Sequence, residues 1–255
     1  MLEIIQVPLL RDNYSVVVRH PGGAWTLVVD PAEAEPVARV LSERDWPLTH
    51  ILNTHWHADH VGGNLALKRL YDATVFGVSA SGEVIPGLDV DVWNTDRVDL
   101  SGTTLRILRV PGHTPHHVAY HFPDENILFA GDTLFSLGCG RLLGGTAEDL
   151  WASLDAIRNL SSETVIYCAH EYTEANARFA QTVEPSNHAL MMRKVKIEQQ
   201  RHAGLPTVPF TLADEIATNP FLRPESPEIR ATVGLSADAS NLEVFRELRK
   251  RKDTF

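Results

Sequence analysis

Thr54-His55-Trp56-His57-Ala58-Asp59-His60 places three imidazoles and a carboxylate within a few residues, directly after the apolar pair Ile51-Leu52. Packing gives no reason to gather so many titratable groups. A metal does, because imidazole nitrogen and carboxylate oxygen are the donors that suit zinc, iron or manganese. No thiolate accompanies them, which argues against a closed structural zinc site. The alternative, a His-rich surface loop, loses ground because matching donors recur downstream in the same local context. Residues 105–110 read as a strand and run into Pro111-Gly112-His113; residues 126–130 run into Gly131-Asp132; residues 164–168 run into Ala169-His170. A single His after a strand is an ordinary loop residue. Four apolar, β-prone runs that each end in a metal-ligand type point to one site, because neighbouring strands can present their ends along a common edge.

Counting donors sets the nuclearity. His55, His57, Asp59, His60, His113, Asp132 and His170 are more than one four-coordinate ion can take, whereas two ions sharing a carboxylate accommodate them all. The pattern T-H-x-H-x-D-H followed by distant His, Asp and His resembles the signature of the metallo-β-lactamase superfamily. That resemblance implies an α/β fold, a four-layered αββα sandwich with metals at the edge between two mixed sheets. It also implies His55, His57 and His113 on one ion, Asp59, His60 and His170 on the second, and Asp132 bridging them.

Three further segments narrow the resemblance. Cys139-Gly140-Arg141 with Gly145-Thr146 follows Gly131-Asp132-Thr133-Leu134-Phe135, and His170-Glu171-Tyr172-Thr173 follows the last strand-like run. The C-terminal part carries Asn219-Pro220-Phe221-Leu222-Arg223 and ends in Arg249-Lys250-Arg251-Lys252-Asp253. In this order they resemble the glyoxalase II (hydroxyacylglutathione hydrolase) family over essentially the whole chain. The resemblance implies a thioester hydrolase that cleaves an S-2-hydroxyacylglutathione, such as S-D-lactoylglutathione, to glutathione and a 2-hydroxy acid in methylglyoxal detoxification. It implies two divalent ions per chain, zinc first, with iron or manganese as alternatives. Arg141, Tyr172, Arg249 and Lys252 would bind the substrate, and Asp59 would be catalytic. Leu143, Gly144 and His116 depart from the family pattern, which more often has an aromatic, an acidic residue and glycine there. None is a metal donor, so they bear on affinity for glutathione rather than on reaction type.

The chemistry expected is hydrolysis by a hydroxide activated between ions about 3.5 Å apart, with Asp59 orienting it. The leaving thiolate has a conjugate acid of pKa about 8.5, so it departs without a strong general acid. Three rivals compete with this reading: an iron-dependent dioxygenase on a glutathione persulfide, a nucleic-acid-processing hydrolase, and a non-catalytic metal-binding module. The first needs an open iron site and oxygen uptake. The second is disfavoured by the acidic balance, and the third by the completeness of the donor set.

Working outward, 255 residues can bury a full core, and 44% hydrophobic with 22% charged residues is the balance of a soluble globular protein. The formal net charge of −10 speaks against general nucleic-acid binding. Met1 to Leu10 lack the basic start and cleavage site of a signal peptide, and no apolar run approaches a membrane span. The two cysteines, Cys139 and Cys168, form no C-x-x-C pair. These features predict a cytoplasmic monomer acting on a small molecule, with no nucleic-acid or membrane partner. Strands are expected over 4–9, 14–19, 25–29, 49–52, 118–122 and 127–129, and helices over 31–41, 61–70 and 147–160. Past His170 the strand-like runs stop, and 174–183, 189–203 and 227–233 read as helical. The expected organisation is a catalytic domain over 1–172 and a helical glutathione-binding domain over 173–255.

Overall fold

A computed structural model describes residues 1–255. The chain divides into two compact units, one of Met1–Arg109 with His116–Gly131, the other of Val110–Pro115 with Asp132–Phe255.

The first unit opens with β1 (Glu3–Leu9), β2 (Asn13–Arg19) and β3 (Thr26–Val29). Runs such as Val16-Val17-Val18 favour extended chain because branching at Cβ suits a pleated surface. The chain then forms α1 (Ala34–Arg44), β4 (His50–Leu52), α2 (Ala58–Val61), α3 (Asn64–Tyr71), β5 (Thr74–Gly77) and β6 (Val90–Asp91). The sheet order is β1-β2-β3-β4-β5-β6: the first three strands are antiparallel, and β3 to β6 are parallel. Parallel neighbours need a crossover, which α1 supplies between β3 and β4 and α2–α3 supply between β4 and β5. Val17, Val28 and Ile51 of the sheet, Val37 and Leu41 of α1 and Leu67 of α3 are fully buried in one core.

A second sheet of the same unit comprises β7 (Arg97–Leu100), β8 (Thr103–Arg109), β9 (Val118–Phe122) and β10 (Ile127–Gly131), all antiparallel. The two sheets meet where Trp25 stacks on Phe122 at 5.8 Å and the Tyr120 hydroxyl donates to the Asn53 carbonyl at 2.8 Å.

The helix expected over 61–70 differs in the structure. It is two short helices, α2 and α3, interrupted at Gly62-Gly63. A Cβ on Gly62 would lie 2.4 Å from the Ala32 carbonyl oxygen, and one on Gly63 would lie 2.8 Å from that of Pro31. The chain is pressed against backbone here, and the Gly63 N–H donates to the Pro31 carbonyl at 2.7 Å. Residues 31–33 serve that contact, so the helix expected from residue 31 begins at Ala34.

The second unit holds β11 (Leu134–Phe135), β12 (Gly138–Cys139), α4 (Ala147–Arg158), β13 (Val165–Cys168), α5 (Thr173–Val183), α6 (His188–His202), β14 (Phe210–Thr211), α7 (Leu212–Thr218), α8 (Pro227–Val233) and α9 (Asn241–Thr254). The strand-like runs do not stop at His170: β14 pairs antiparallel with β13, Val165 opposite Thr211. Two residues are too few to carry an alternating pattern, so the sequence gives no sign of it. Helix α9 starts with a reciprocal capping box between Ser240 and Glu243. An aromatic row ties the helices together, Phe179 stacked on Phe221 at 5.9 Å and Phe221 edge-on to Phe245 at 6.0 Å. Both cysteines are free and buried, and burial pushes both thiols up, that of Cys139 to about 11. No helix is long and apolar enough to cross a membrane.

Candidate metal centre

In the first unit the donors sit on the turn that leaves β4. Ile51 and Leu52 are fully buried, and so are Asn53, Thr54 and His55 after them. Buried backbone and hydroxyl groups there need partners, and Asp30, at the end of β3, supplies them. Its carboxylate accepts from the Thr54 N–H at 2.8 Å and from the Thr54 hydroxyl at 2.7 Å. The Thr54 oxygen lies 3.1 Å from His55 Nδ1. With its own proton given to Asp30, that oxygen accepts from Nδ1–H, which leaves His55 Nε2 with its lone pair outward. That Nε2 faces His57 Nδ1 at 2.9 Å. The His60 ring centre lies 4.0 Å from that of His55, its Nδ1 is 3.1 Å from Asp30, and its Nε2 is 3.7 Å from Asp59. Asp59 is itself held by Asn13, whose amide donates to its carboxylate at 3.0 Å and to its carbonyl at 3.2 Å. A further imidazole, the fully buried His117, stacks on His55 at 4.7 Å.

In the second unit His113, Asp132 and His170 are each at most 6% exposed. His113 Nε2 lies 3.4 Å from one oxygen of Asp132, and His170 Nε2 lies 3.4 Å from the other. The carboxylate thus has a different imidazole facing each of its oxygens. His113 Nδ1 is 2.8 Å from the Arg141 carbonyl, which can only accept, so Nδ1 carries the proton and Nε2 is left with its lone pair. Gly112 (φ +141°) permits this loop: a Cβ there would lie 2.4 Å from Leu150 of α4. Tyr172 lies flat on His170, ring centres 4.7 Å apart, and is 38% exposed. All seven side chains expected from the sequence are among those able to hold a metal ion. The donor set, five imidazoles plus two carboxylates, fits a borderline divalent cation.

The expected substrate residues differ in environment. Arg249 is 4% exposed, whereas Lys252 is half-buried, with Nζ 5.4 Å from the Phe179 ring and 3.3 Å from the Ala175 carbonyl. Burial, reinforced by the nearby cations Arg249, Arg178 and Arg141, pulls the Lys252 ammonium down to about 8. Arg141 is exposed, and so is Leu143 beside it. Asp30, Asn13 and His117 are not marked as site residues by any motif in the sequence. Asp30 carried a faint signal, a carboxylate directly after the apolar run of β3, but followed by Pro31 it reads as a turn.

A mixed sheet faced by an antiparallel one, with imidazole and carboxylate donors at strand ends, defines a metal-binding protein of the metallo-β-lactamase class. The profile described as the metallo-beta-lactamase superfamily matches residues 9–170, and that described as the hydroxyacylglutathione hydrolase C-terminus matches residues 171–255. The hydroxyacylglutathione hydrolase of Methylococcus capsulatus is 53% identical over 255 residues, 100% of this chain and 99% of its own length. That of Cereibacter sphaeroides is 48% identical over 254 residues, with 100% and 99% covered. Among solved structures, ETHE1 from Myxococcus xanthus shares the fold at a TM-score of 0.65 and 23% identity, covering 100% of this chain and 99% of its own. The chain belongs to the hydroxyacylglutathione hydrolase family of the metallo-β-lactamase superfamily.

Proposed function

We propose that the protein hydrolyses S-2-hydroxyacylglutathione thioesters, S-D-lactoylglutathione among them, releasing glutathione and a 2-hydroxy acid in methylglyoxal detoxification. The observation that carries the metal part of this reading is Asp132, with His113 on one oxygen and His170 on the other. The names of the full-length relatives support the substrate. In this reading His55, His57 and His113 would hold one divalent ion, Asp59, His60 and His170 would hold a second, and Asp132 would serve both.

Bound there, two divalent ions, zinc in this proposal, would lower the pKa of water and polarise the thioester carbonyl. The chain's own residues do the rest. Asn13 fixes the Asp59 carboxylate, which orients the attacking oxygen and accepts its hydrogen bond. Thr54 and the Arg141 carbonyl hold His55 and His113 in the tautomers that present Nε2. Arg141, Tyr172, Arg249 and Lys252 would supply a polar grip for the glutathione moiety. The proposal includes a monomeric, cytoplasmic enzyme, a reducing compartment being compatible with two free thiols.

The test is a panel of glutathione thioesters of different acyl groups, assayed on protein of measured metal content while oxygen uptake is followed. Release of free glutathione and 2-hydroxy acid in step with bound metal, without oxygen consumption, is the expected result. Oxygen uptake on a glutathione persulfide, with no thioester turnover, would replace hydrolysis by the dioxygenase alternative.

A further inference from the structure

Strands β11 and β12 form a tight hairpin that starts just after the candidate metal donor Asp132, with Leu134 opposite Cys139 and Phe135 opposite Gly138. Its turn puts Leu137 in the left-handed region at φ 57°. A conformation of that kind persists where the surroundings impose it, and here polar side chains of the helices do so. The Leu137 N–H donates to Glu215 of α7 at 2.9 Å. Asn219, just past α7, donates to the Gly138 carbonyl at 3.0 Å and the Phe135 carbonyl at 3.3 Å. Asn176 of α5 donates to the Ser136 carbonyl at 3.0 Å, and Arg193 of α6 to the Ser136 hydroxyl oxygen at 3.0 Å. The dock closes on itself, because Glu215 pairs with Arg193 and accepts from Asn219 at 2.8 Å. Glu215 and Asn219 are fully buried, so water offers no substitute for these bonds. A Cβ on Gly138 would lie 2.4 Å from Asn176 Nδ2, which leaves the hairpin no slack.

The side chain that this dock fixes is Phe135, 5% exposed. Its ring stands edge-on to Tyr172, centres 5.3 Å apart at 78°, and edge-on to His170, centres 5.9 Å apart at 81°. Tyr172 and His170 are themselves parallel to within 4°. One ring therefore abuts both members of a stack, in the perpendicular geometry that aromatic pairs prefer. Tyr172 is 38% exposed, and solvent does not select among the orientations of a phenol. A fixed perpendicular ring does.

We propose that Phe135 is a positioning residue for the stacked Tyr172–His170 pair, setting the phenol for the substrate and the imidazole for the metal. The inference rests on the proposed function, in which Tyr172 meets the glutathione moiety and His170 an ion. Leucine fills most of the space of phenylalanine but has no aromatic edge, so Phe135→Leu separates orientation from filling.

The experiment compares wild type, Phe135→Leu, Tyr172→Ala and the double variant as metal-loaded full chains. It reads the Kd of glutathione by calorimetry, KM for a glutathione thioester, and the visible spectrum of the cobalt-substituted protein. Phe135→Leu is expected to raise Kd and KM by about 10-fold, the upper end of what one aromatic pair contributes, and to change the cobalt spectrum through His170. In the Tyr172→Ala background the same substitution should add no further loss of affinity, because the ring it orients is gone. A substitution that merely loosened the fold would add its full effect there. A wild-type Kd or a wild-type spectrum in Phe135→Leu, a wild-type Kd in Tyr172→Ala, or full additivity in the double variant overturns the proposal. If Phe135→Leu fails to fold, the same cycle with Phe135→Met decides, since the flexible thioether adapts to irregular gaps. A wild type that holds metal but neither binds glutathione nor hydrolyses its thioesters defeats the proposed function, and the cobalt spectrum alone then judges Phe135. A wild type that binds glutathione but no metal also defeats that function, and the affinity cycle then judges Phe135. A wild type that binds neither defeats both.

Discussion

Asp30 shows how one buried carboxylate serves several donors at once. It receives two hydrogen bonds from Thr54 and stands 3.1 Å from His60, so it steers His55 indirectly and His60 directly. Asp30→Asn offers a single acceptor oxygen and an NH₂ where another acceptor is needed. Metal affinity, measured by competition with a chromogenic chelator, is expected to fall about 10–100-fold; an unchanged affinity would remove Asp30 from the account. Lys252 gives a prediction in pH. Its folded pKa of about 8 lies below the unchanged value of 10.5. The unfolded chain therefore binds the extra proton between those values, and stability rises with pH across that window, the penalty being fully present below 8. Charge lost from Lys252 acts oppositely on an anionic substrate, so KM should rise as pH passes about 8. Lys252→Met should have a high KM that stays flat through the same range, and a parallel rise in both proteins would refute the assignment.

The break at Gly62-Gly63 is the element that joins Asp59 and His60 to Asp30. Both glycines press on the Pro31-Ala32 backbone, one residue beyond Asp30. Gly62→Ala puts a methyl group 2.4 Å from a carbonyl oxygen that belongs to backbone and cannot rotate away. Overpacking of this kind costs about 1–3 kcal/mol, to be read as a lowered midpoint in urea, and metal affinity should drop with it. An unaltered midpoint would show that the α2 turn yields freely. Elements also separate what was legible in the sequence from what was not. β4, β8, β10 and β13 were readable because each is an apolar run ending in a polar donor, a local pattern. The interruption of α2–α3 was not, because a glycine pair inside a helical period is equally a loop or a close contact until the opposing backbone is known. The backbone contacts of Arg249 are hidden for the same reason: its partners are carbonyls 110 and 109 residues away, and a carbonyl leaves no trace in residue type.

At the scale of the molecule, the seven donors of the proposed centre run from residue 55 to residue 170, so metal held by them would act on much of the chain at once. Any ligand that binds only the folded state stabilises it, by about 2.7 kcal/mol at a concentration 100 times its Kd. Stripping metal with a chelator should lower Tm in calorimetry, re-addition should restore it, and Tm should climb with free metal concentration. A Tm indifferent to metal would contradict a centre built from the native fold. The two buried cysteines have a different consequence. In the proposed reaction each turnover releases a thiol, and the protein must live among such thiols and their oxidised disulfides without being captured by them. Exchange requires a thiolate that can reach the disulfide. Cys139, pushed up to about 11, and Cys168, pushed higher still, have neither the ionisation nor the exposure. Incubation with glutathione disulfide should add no glutathionyl mass to the folded protein and should add it only after denaturation, so the folded enzyme is inert toward the oxidised form of its product.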